Sequence, residues 1–218
     1  MIDVQGVSSD GAVLRVEKLC FGYGQRELFS LFSAQFQPGV TWVRGSNGSG
    51  KSTLLKLLAG VLQPISGHVE MPALRLDAAT LEYRRRMFWC GPGPLAFDHL
   101  TPLEYLGFIR GLYRSFSVES VAGHVSGFAL EPHLQSPLRD LSTGTQRKVW
   151  LTAALCTRAP VTLLDEPLNA LDKSALSYLQ ATLGPCVRQT EGVWIIASHD
   201  SFGPASLQAT VLDLGAPL

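Results

Sequence analysis

No charge excess of either sign marks this sequence: lysine plus arginine and aspartate plus glutamate number 18 each over 218 residues. Chains whose main ligand is nucleic acid carry a basic surplus, so no nucleic-acid partner is expected. No apolar run approaches the ~20 residues that cross a bilayer. No charged start followed by an apolar stretch opens the chain, so no secretory signal is expected. Cysteine is sparse, and Cys20, Cys90, Cys156 and Cys186 include no Cys-x-x-Cys pair. That spacing predicts reduced core or surface thiols in a cytosolic protein. Internal repeats, heptads and low-complexity tracts are absent. With 46% hydrophobic and only 17% charged residues, the chain suits a single globular domain, 1–218, with a large core. One scarcity is local: no glutamine occurs between Gln63 and Gln135.

Glycine is concentrated where it matters. Gly45-Ser46-Asn47-Gly48-Ser49-Gly50-Lys51-Ser52 spells G-x-x-x-x-G-K-S, the signature of a phosphate-binding loop. Val40–Val43 before it predicts a strand, and Leu54, Leu55, Leu57 and Leu58 after it predict a helix. Glycines let the backbone bend and present its N–H groups to a phosphate. The helix N-terminus adds partial positive charge. Lys51 adds a full charge for the β- and γ-phosphates, and the Ser52 hydroxyl suits Mg²⁺. Residues 45–53, from Gly45 to Thr53, are therefore expected to bind the nucleotide.

The rest of the chain reads as alternating strands and helices. Residues 1–10 look frayed. Val13–Val16, His68–Glu70, Met87–Cys90, Val161–Asp165, Val193–Ala197 and Thr210–Leu214 predict strands. Pro102–Leu112, a segment within Val118–Leu130, the stretch carrying Val149, Ala153 and Cys156, and the region near 173–183 predict helices. Phe21–Gly24 reads as an aromatic turn, where Tyr23 either stacks on a base or sits at the surface. Arg84–Arg86 reads as a solvated basic face, and Gly91–Pro94 as a stiff loop. The middle region is helical and looks separate from the strand-rich flanks.

Two apolar strands end in chemistry. Val161–Asp165 runs into Asp165 and Glu166, and Val193–Ala197 into Ser198 and His199. In open α/β sheets the C-terminal strand edge is where ligands bind. There Asp165 suits Mg²⁺, directly or through water. Glu166 suits a general base for water, and His199 a γ-phosphate contact. Taken alone, Asp165 and Glu166 also fit a helix start and His199 a structural role. Leu141-Ser142-Thr143-Gly144-Thr145 alone also fits a plain helix start.

The order of these motifs is what discriminates. Phosphate loop, Leu-Ser-x-Gly, Asp-Glu-Pro, Ala170-Leu171-Asp172 and strand-Ser-His resemble, in series and over about residues 13–215, the ATP-binding cassette ATPases. The resemblance implies an α/β fold: a P-loop NTPase core with a mixed, largely parallel sheet, an N-terminal antiparallel β part and an inserted helical subdomain. It divides the chain into a nucleotide-binding core, 1–95 and 141–218, and a helical subdomain, 96–140. It implies ATP and Mg²⁺ as cofactors and hydrolysis through Glu166, His199 and Lys51, with Ser52 and Asp165 as metal residues. It makes Tyr23 the adenine-stacking residue, Leu141 to Thr145 the signature that contacts ATP held by the opposite subunit, and Asp172 part of the loop linking the two sites. It further implies a homodimer, an integral membrane transporter subunit as partner, and a location on the cytoplasmic face of the membrane. A soluble cassette ATPase and a scaffold without turnover remain alternatives. Gly45–Gly48, Glu27–Ser30 and Arg158–Pro160 resemble the haem-exporter ATPases of cytochrome c maturation; a generic small exporter or importer subunit stays open beside them. Two departures stand out. Thr143 and Thr145 replace a commoner glycine and glutamine, and the family's glutamine before the helical subdomain is missing. No side chain from Phe88 to Leu95 is therefore expected to ligate the metal.

Overall fold

The computed structural model of the chain describes residues 14–91, 97–190, 192–199 and 209–215. The expected frayed start, most of the Gly91–Pro94 loop and the Cys186 side chain lie outside this description. In chain order the elements are β1 (Leu14–Tyr23), β2 (Arg26–Phe36), β3 (Gly39–Arg44), α1 (Lys51–Leu58), β4 (Ser66–Met71), β5 (Leu74–Arg75), α2 (Thr80–Arg85) and β6 (Met87–Cys90). They continue with α3 (Pro102–Leu112), α4 (Val118–Gly127), α5 (Thr143–Thr157), β7 (Val161–Asp165), α6 (Lys173–Thr190), β8 (Val193–Ala197) and β9 (Thr210–Asp213).

The strands sort into two sheets. β2-β1-β4-β5 is antiparallel, and β6-β7-β8-β3-β9 is parallel throughout. Side-chain alternation splits the parallel sheet into two apolar faces. Val43, Val161, Leu163, Val193, Ile195 and Ala197 join α1 and the antiparallel sheet in one core. Phe88, Leu164, Trp194 and Ile196 join α3, α4, α5 and α6 in the other. Both faces are covered, which is why β7 and β8 read as unbroken hydrophobic runs.

β1 is longer than its predicted four residues, and its partner β2 had no predicted strand. The cause is a break in alternation. Lys18 and Leu31 both adopt left-handed backbone angles, φ 47° and 50°, and the register shifts between Val16 and Leu19. Such bulges destroy the period-two signal that reveals a strand. Tyr23 thus closes β1 rather than sitting in a turn.

The helical middle is latched to its surroundings rather than separate. Tyr105, Leu106, Ile109, Val125 and Phe128 share the second core with α5 and α6. The Tyr113 hydroxyl donates to the Met87 carbonyl at 2.8 Å, and the Ser117 amide to the Cys156 carbonyl at 2.8 Å. α3 begins with a full capping box between Thr101 and Glu104 behind Pro102. α6 runs on past Pro185. Leu179, Leu183 and Val187, each one turn apart, are buried; at about 1.5–3 kcal/mol per fully buried side chain they outweigh one lost helix bond.

Candidate functional site

The parallel strands deliver the chemistry to one edge. β3 feeds the glycine-rich loop, and Gly48 (φ 82°) and Gly50 (φ 100°) take the left-handed angles that side chains resist. A Cβ on Gly50 would also press on Leu28 and Phe29 at 3.1 Å. Gly50 caps α1, so the helix N-terminus opens where Lys51 and Ser52 start. β7 delivers Asp165 and Glu166, and β8 delivers His199. The cleft they form has a volume of about 580 Å³. Tyr23, Asn47, Gly48, Gly50, Lys51, Ser52, Thr53, Glu166 and His199 are among its lining residues.

The side chains meet closely. The buried Lys51 ammonium donates to the Gly45 carbonyl at 2.8 Å and the Ser46 carbonyl at 3.4 Å. It lies 3.9 Å from Glu166 Oε1. Glu166 Oε2 lies 3.0 Å from His199 Nδ1. The Ser52 hydroxyl donates to Asp165 Oδ1 at 3.0 Å. Glu166 sits at φ 49°, a left-handed angle costing a non-glycine residue about 1–3 kcal/mol. Its amide still bonds the Ala197 carbonyl at 2.8 Å. The chain therefore turns sharply one residue after the strand.

Asp165 is fully buried. Burial pushes its carboxyl above the ordinary aspartate range, and neighbouring Glu166 adds to this; the Ser52 hydrogen bond works the other way. Its Oδ2 is buried without a hydrogen-bond partner. A hydroxyl and an unpartnered carboxylate oxygen side by side fit a hard divalent cation such as Mg²⁺.

Other predicted residues lie elsewhere. Among the residues lining the cleft, none belongs to the Leu141–Thr145 stretch. Ser142 caps α5, accepting from the Thr145 amide at 3.1 Å. Gly144 lets another backbone approach: a Cβ there would fall 2.4 Å from the Ala170 carbonyl oxygen. Asp172 accepts from Lys148 at 2.6 Å and from the Ala175 amide at 2.8 Å. The Lys148 bond, with the amide second, holds its carboxyl below the usual range. α5 is thus tied at two points to the segment following Glu166. Tyr23 is half-exposed in the cleft, its ring edge-on to Phe21 and its hydroxyl 3.4 Å from Thr53 Oγ1.

Arg26, Leu28 and Asn169 also line the cleft, and none was foreseen. Arg26 pairs with Tyr23 across the β1–β2 turn, a pairing hidden with the missed β2. Asn169 lies three residues beyond Glu166, where a turn asparagine gives no distinguishing signal. Arg147 was missed too. It is buried on α5 and donates to the Gly91 carbonyl at 3.1 Å beside the Cys90 sulfur.

The sequence pattern of the ABC transporter family matches residues 30–169. The cytochrome c biogenesis ATP-binding export protein CcmA of Pseudomonas fluorescens is 31% identical over 93% of this chain and 96% of its own length. The protein of that name from Escherichia coli O157:H7 is 32% identical, over 88% and 92% respectively. That of Cupriavidus pinatubonensis is 34% identical, over 87% and 84%. In fold, an ATP-binding subunit of an ABC transporter superimposes with a TM-score of 0.80 at 24% identity, over 89% of this chain and 82% of that one. A Clostridium perfringens protein, part of an ABC transporter complex, gives 0.73 at 22%, over 96% and 88%.

Proposed function

Since the chain belongs to the ABC transporter family as an ATP-binding, ATP-hydrolysing subunit, we propose that it powers export through a separate membrane partner by ATP-driven closure of a homodimer. The observation that carries this reading is the convergence of Lys51, Ser52, Asp165, Glu166 and His199 on one strand edge. Lys51 takes the β- and γ-phosphates, and loop amides at the α1 N-terminus share their charge. Glu166 accepts the proton of the attacking water while His199, 3.0 Å from it, holds that carboxylate and the γ-phosphate in register. Ser52 and Asp165 are the residues that would hold Mg²⁺, which neutralises developing phosphate charge when bound. Tyr23 offers its exposed ring to the adenine.

The signature, Leu141 to Thr145, lies outside its own chain's cleft. That supports a head-to-tail dimer in which it completes the partner's site, with Asp172 in the loop between sites. In this reading residues 1–95 and 141–218 form the nucleotide-binding core, and 96–140 the helical subdomain that docks on the membrane partner. Leu103, Phe108 and Leu112 on α3 are exposed and offer an apolar contact for it. No described helix is long and apolar enough to cross a membrane, which accords with a peripheral subunit on the cytoplasmic side. The export proteins of cytochrome c biogenesis among its relatives favour that pathway.

Mixing tests the composite site. Lys51→Ala and Ser142→Arg homodimers each carry two broken sites. A mixed dimer gathers both lesions in one site and frees the other, so mixing the inactive proteins restores partial ATPase activity. No restoration in verified mixed dimers overturns the trans arrangement. Affinity purification from membranes then recovers an integral membrane protein; recovery of the ATPase alone contradicts the coupling role.

A further inference from the structure

We propose that the side-chain carboxamide of Asn169 holds the attacking water beside Glu166, supplying from the β7 side the polar group that the missing glutamine does not. This rests on the hydrolytic reading above. Asn169 lines the cleft together with Glu166, His199, Lys51 and Ser52. Its position is over-determined. Its amide closes the turn onto the Glu166 carbonyl at 3.3 Å, and Glu166 and Ala170 on either side are both left-handed, φ 49° and 65°. Gly144 of α5 presses on the Ala170 carbonyl, and Lys148 grips Asp172 at 2.6 Å. The segment is thus clamped to α5 along its length.

Asparagine is common in turns because its side chain bonds the nearby backbone. Here that explanation does not apply: among the described residues the Asn169 carboxamide takes no hydrogen bond, and only its backbone amide serves the turn. What is left over is an exposed group with one acceptor and two donors on the wall of the cleft. Its oxygen can accept from a water whose second proton points at Glu166, and its NH₂ can donate to a phosphate oxygen. As the water oxygen forms its bond to the γ-phosphorus, its proton passes to Glu166. The bond from phosphorus to the ADP oxygen breaks, and that electron pair leaves with ADP. Asn169 gains and loses nothing in this step; it fixes the water's direction. Among the described residues the end of β6, which carries no glutamine, offers Cys90, whose thiol burial pushes up to about 11, and the Gly91 carbonyl, which is taken by Arg147.

The test is steady-state ATP hydrolysis by the purified full chain. Asn169→Ala should lower kcat about 10- to 100-fold, the scale of a misplaced reactant, with KM for ATP within about twofold of the parent. Asn169→Asp keeps an acceptor for the water and recovers part of kcat. Wild-type kcat in Asn169→Ala, a loss carried entirely by KM, or an Asn169→Asp variant no faster than Asn169→Ala each overturns the proposal. Glu166→Gln run alongside separates the two levels: full turnover there defeats the hydrolytic reading itself, whereas an inactive Glu166→Gln beside a normal Asn169→Ala defeats only this inference.

Discussion

Two parallel neighbours, β6 and β7, end side by side at the same sheet edge and could hardly be more different. Cys90 pairs with Leu164 in register, so the residues that follow emerge together. β7 runs into two carboxylates, Asp165 and Glu166, the groups proposed to hold Mg²⁺ and to activate water. β6 ends in a buried neutral thiol and a glycine, and its polar contact is borrowed: the buried Arg147 guanidinium reaches in from α5, lying 4.9 Å from the Trp150 ring. A buried cation is costly unless its N–H groups are bonded. The β7 end thus leaves a buried carboxylate oxygen unpartnered, as a reactive site would, while the β6 end is bonded into α5.

Substitutions at the site should therefore cost activity and spare the fold, and those at the β6 end should do the reverse. The largest effect belongs to Lys51→Ala. Removing the phosphate charge should lower turnover about 10²-fold or more while circular dichroism stays unchanged. An unaltered rate in a folded variant breaks the comparison on the reactive side.

Asp165→Asn should divide stability from function most sharply. Burial raises the Asp165 carboxyl, so the folded state holds that proton more tightly than the unfolded chain does. The group's contribution to stability then falls as pH rises from the ordinary aspartate range through the raised folded value. Above it, the ionised form is a standing penalty. Replacing it with a neutral amide should stabilise the nucleotide-free chain near neutrality by about 1 kcal/mol, or roughly 2–4 °C in Tm. The gain should vanish in acid, and stabilisation of the ATP-bound chain by Mg²⁺ should be lost. Thermal unfolding across pH, with and without ATP and Mg²⁺, reads both.

At the β6 end, Arg147→Met leaves the Gly91 carbonyl without its donor and should destabilise by about 1–3 kcal/mol. The rate per folded molecule should change less than tenfold. A large rate loss with unchanged Tm would place Arg147 on the reactive side instead. Smallest is Asp172→Ala, which removes the α6 cap and the Lys148 partner at about 0.5–2 kcal/mol. Because these bonds depress the Asp172 carboxyl, the stability they add is present above the ordinary aspartate pKa. It disappears as pH falls through the lower folded value, so the variant and its parent should converge in strong acid.

What was readable in the sequence follows the same divide. The phosphate loop, β7 and β8 are short, local and continuous, so the sequence alone put Gly45–Thr53 before α1 and Asp165, Glu166 and His199 at strand ends. Their roles depend on strand ends meeting at one edge, a rule that holds for this class of sheet. β2 escaped because paired bulges at Lys18 and Leu31 scramble its alternation, and with it went Arg26 and Leu28. Arg147 and Asn169 escaped for another reason. Arg147 gains its meaning from a contact between distant segments, α5 with Gly91, and Asn169 from lining one cleft with the start of α1. The Leu141–Thr145 stretch was legible both as a motif and as a helix start, and Ser142 does cap α5; that the Ala170 carbonyl is what approaches Gly144 is a packing fact.

Glu166→Gln under single-turnover conditions tests the account most directly, because the variant keeps the shape of the side chain and removes its basicity. The account predicts ATP binding close to that of the parent, hydrolysis slowed about 10²- to 10⁴-fold, and accumulation of an ATP-bound dimer by light scattering. Unchanged hydrolysis in a variant that binds ATP normally would contradict the assignment of Glu166 as the base at the end of β7.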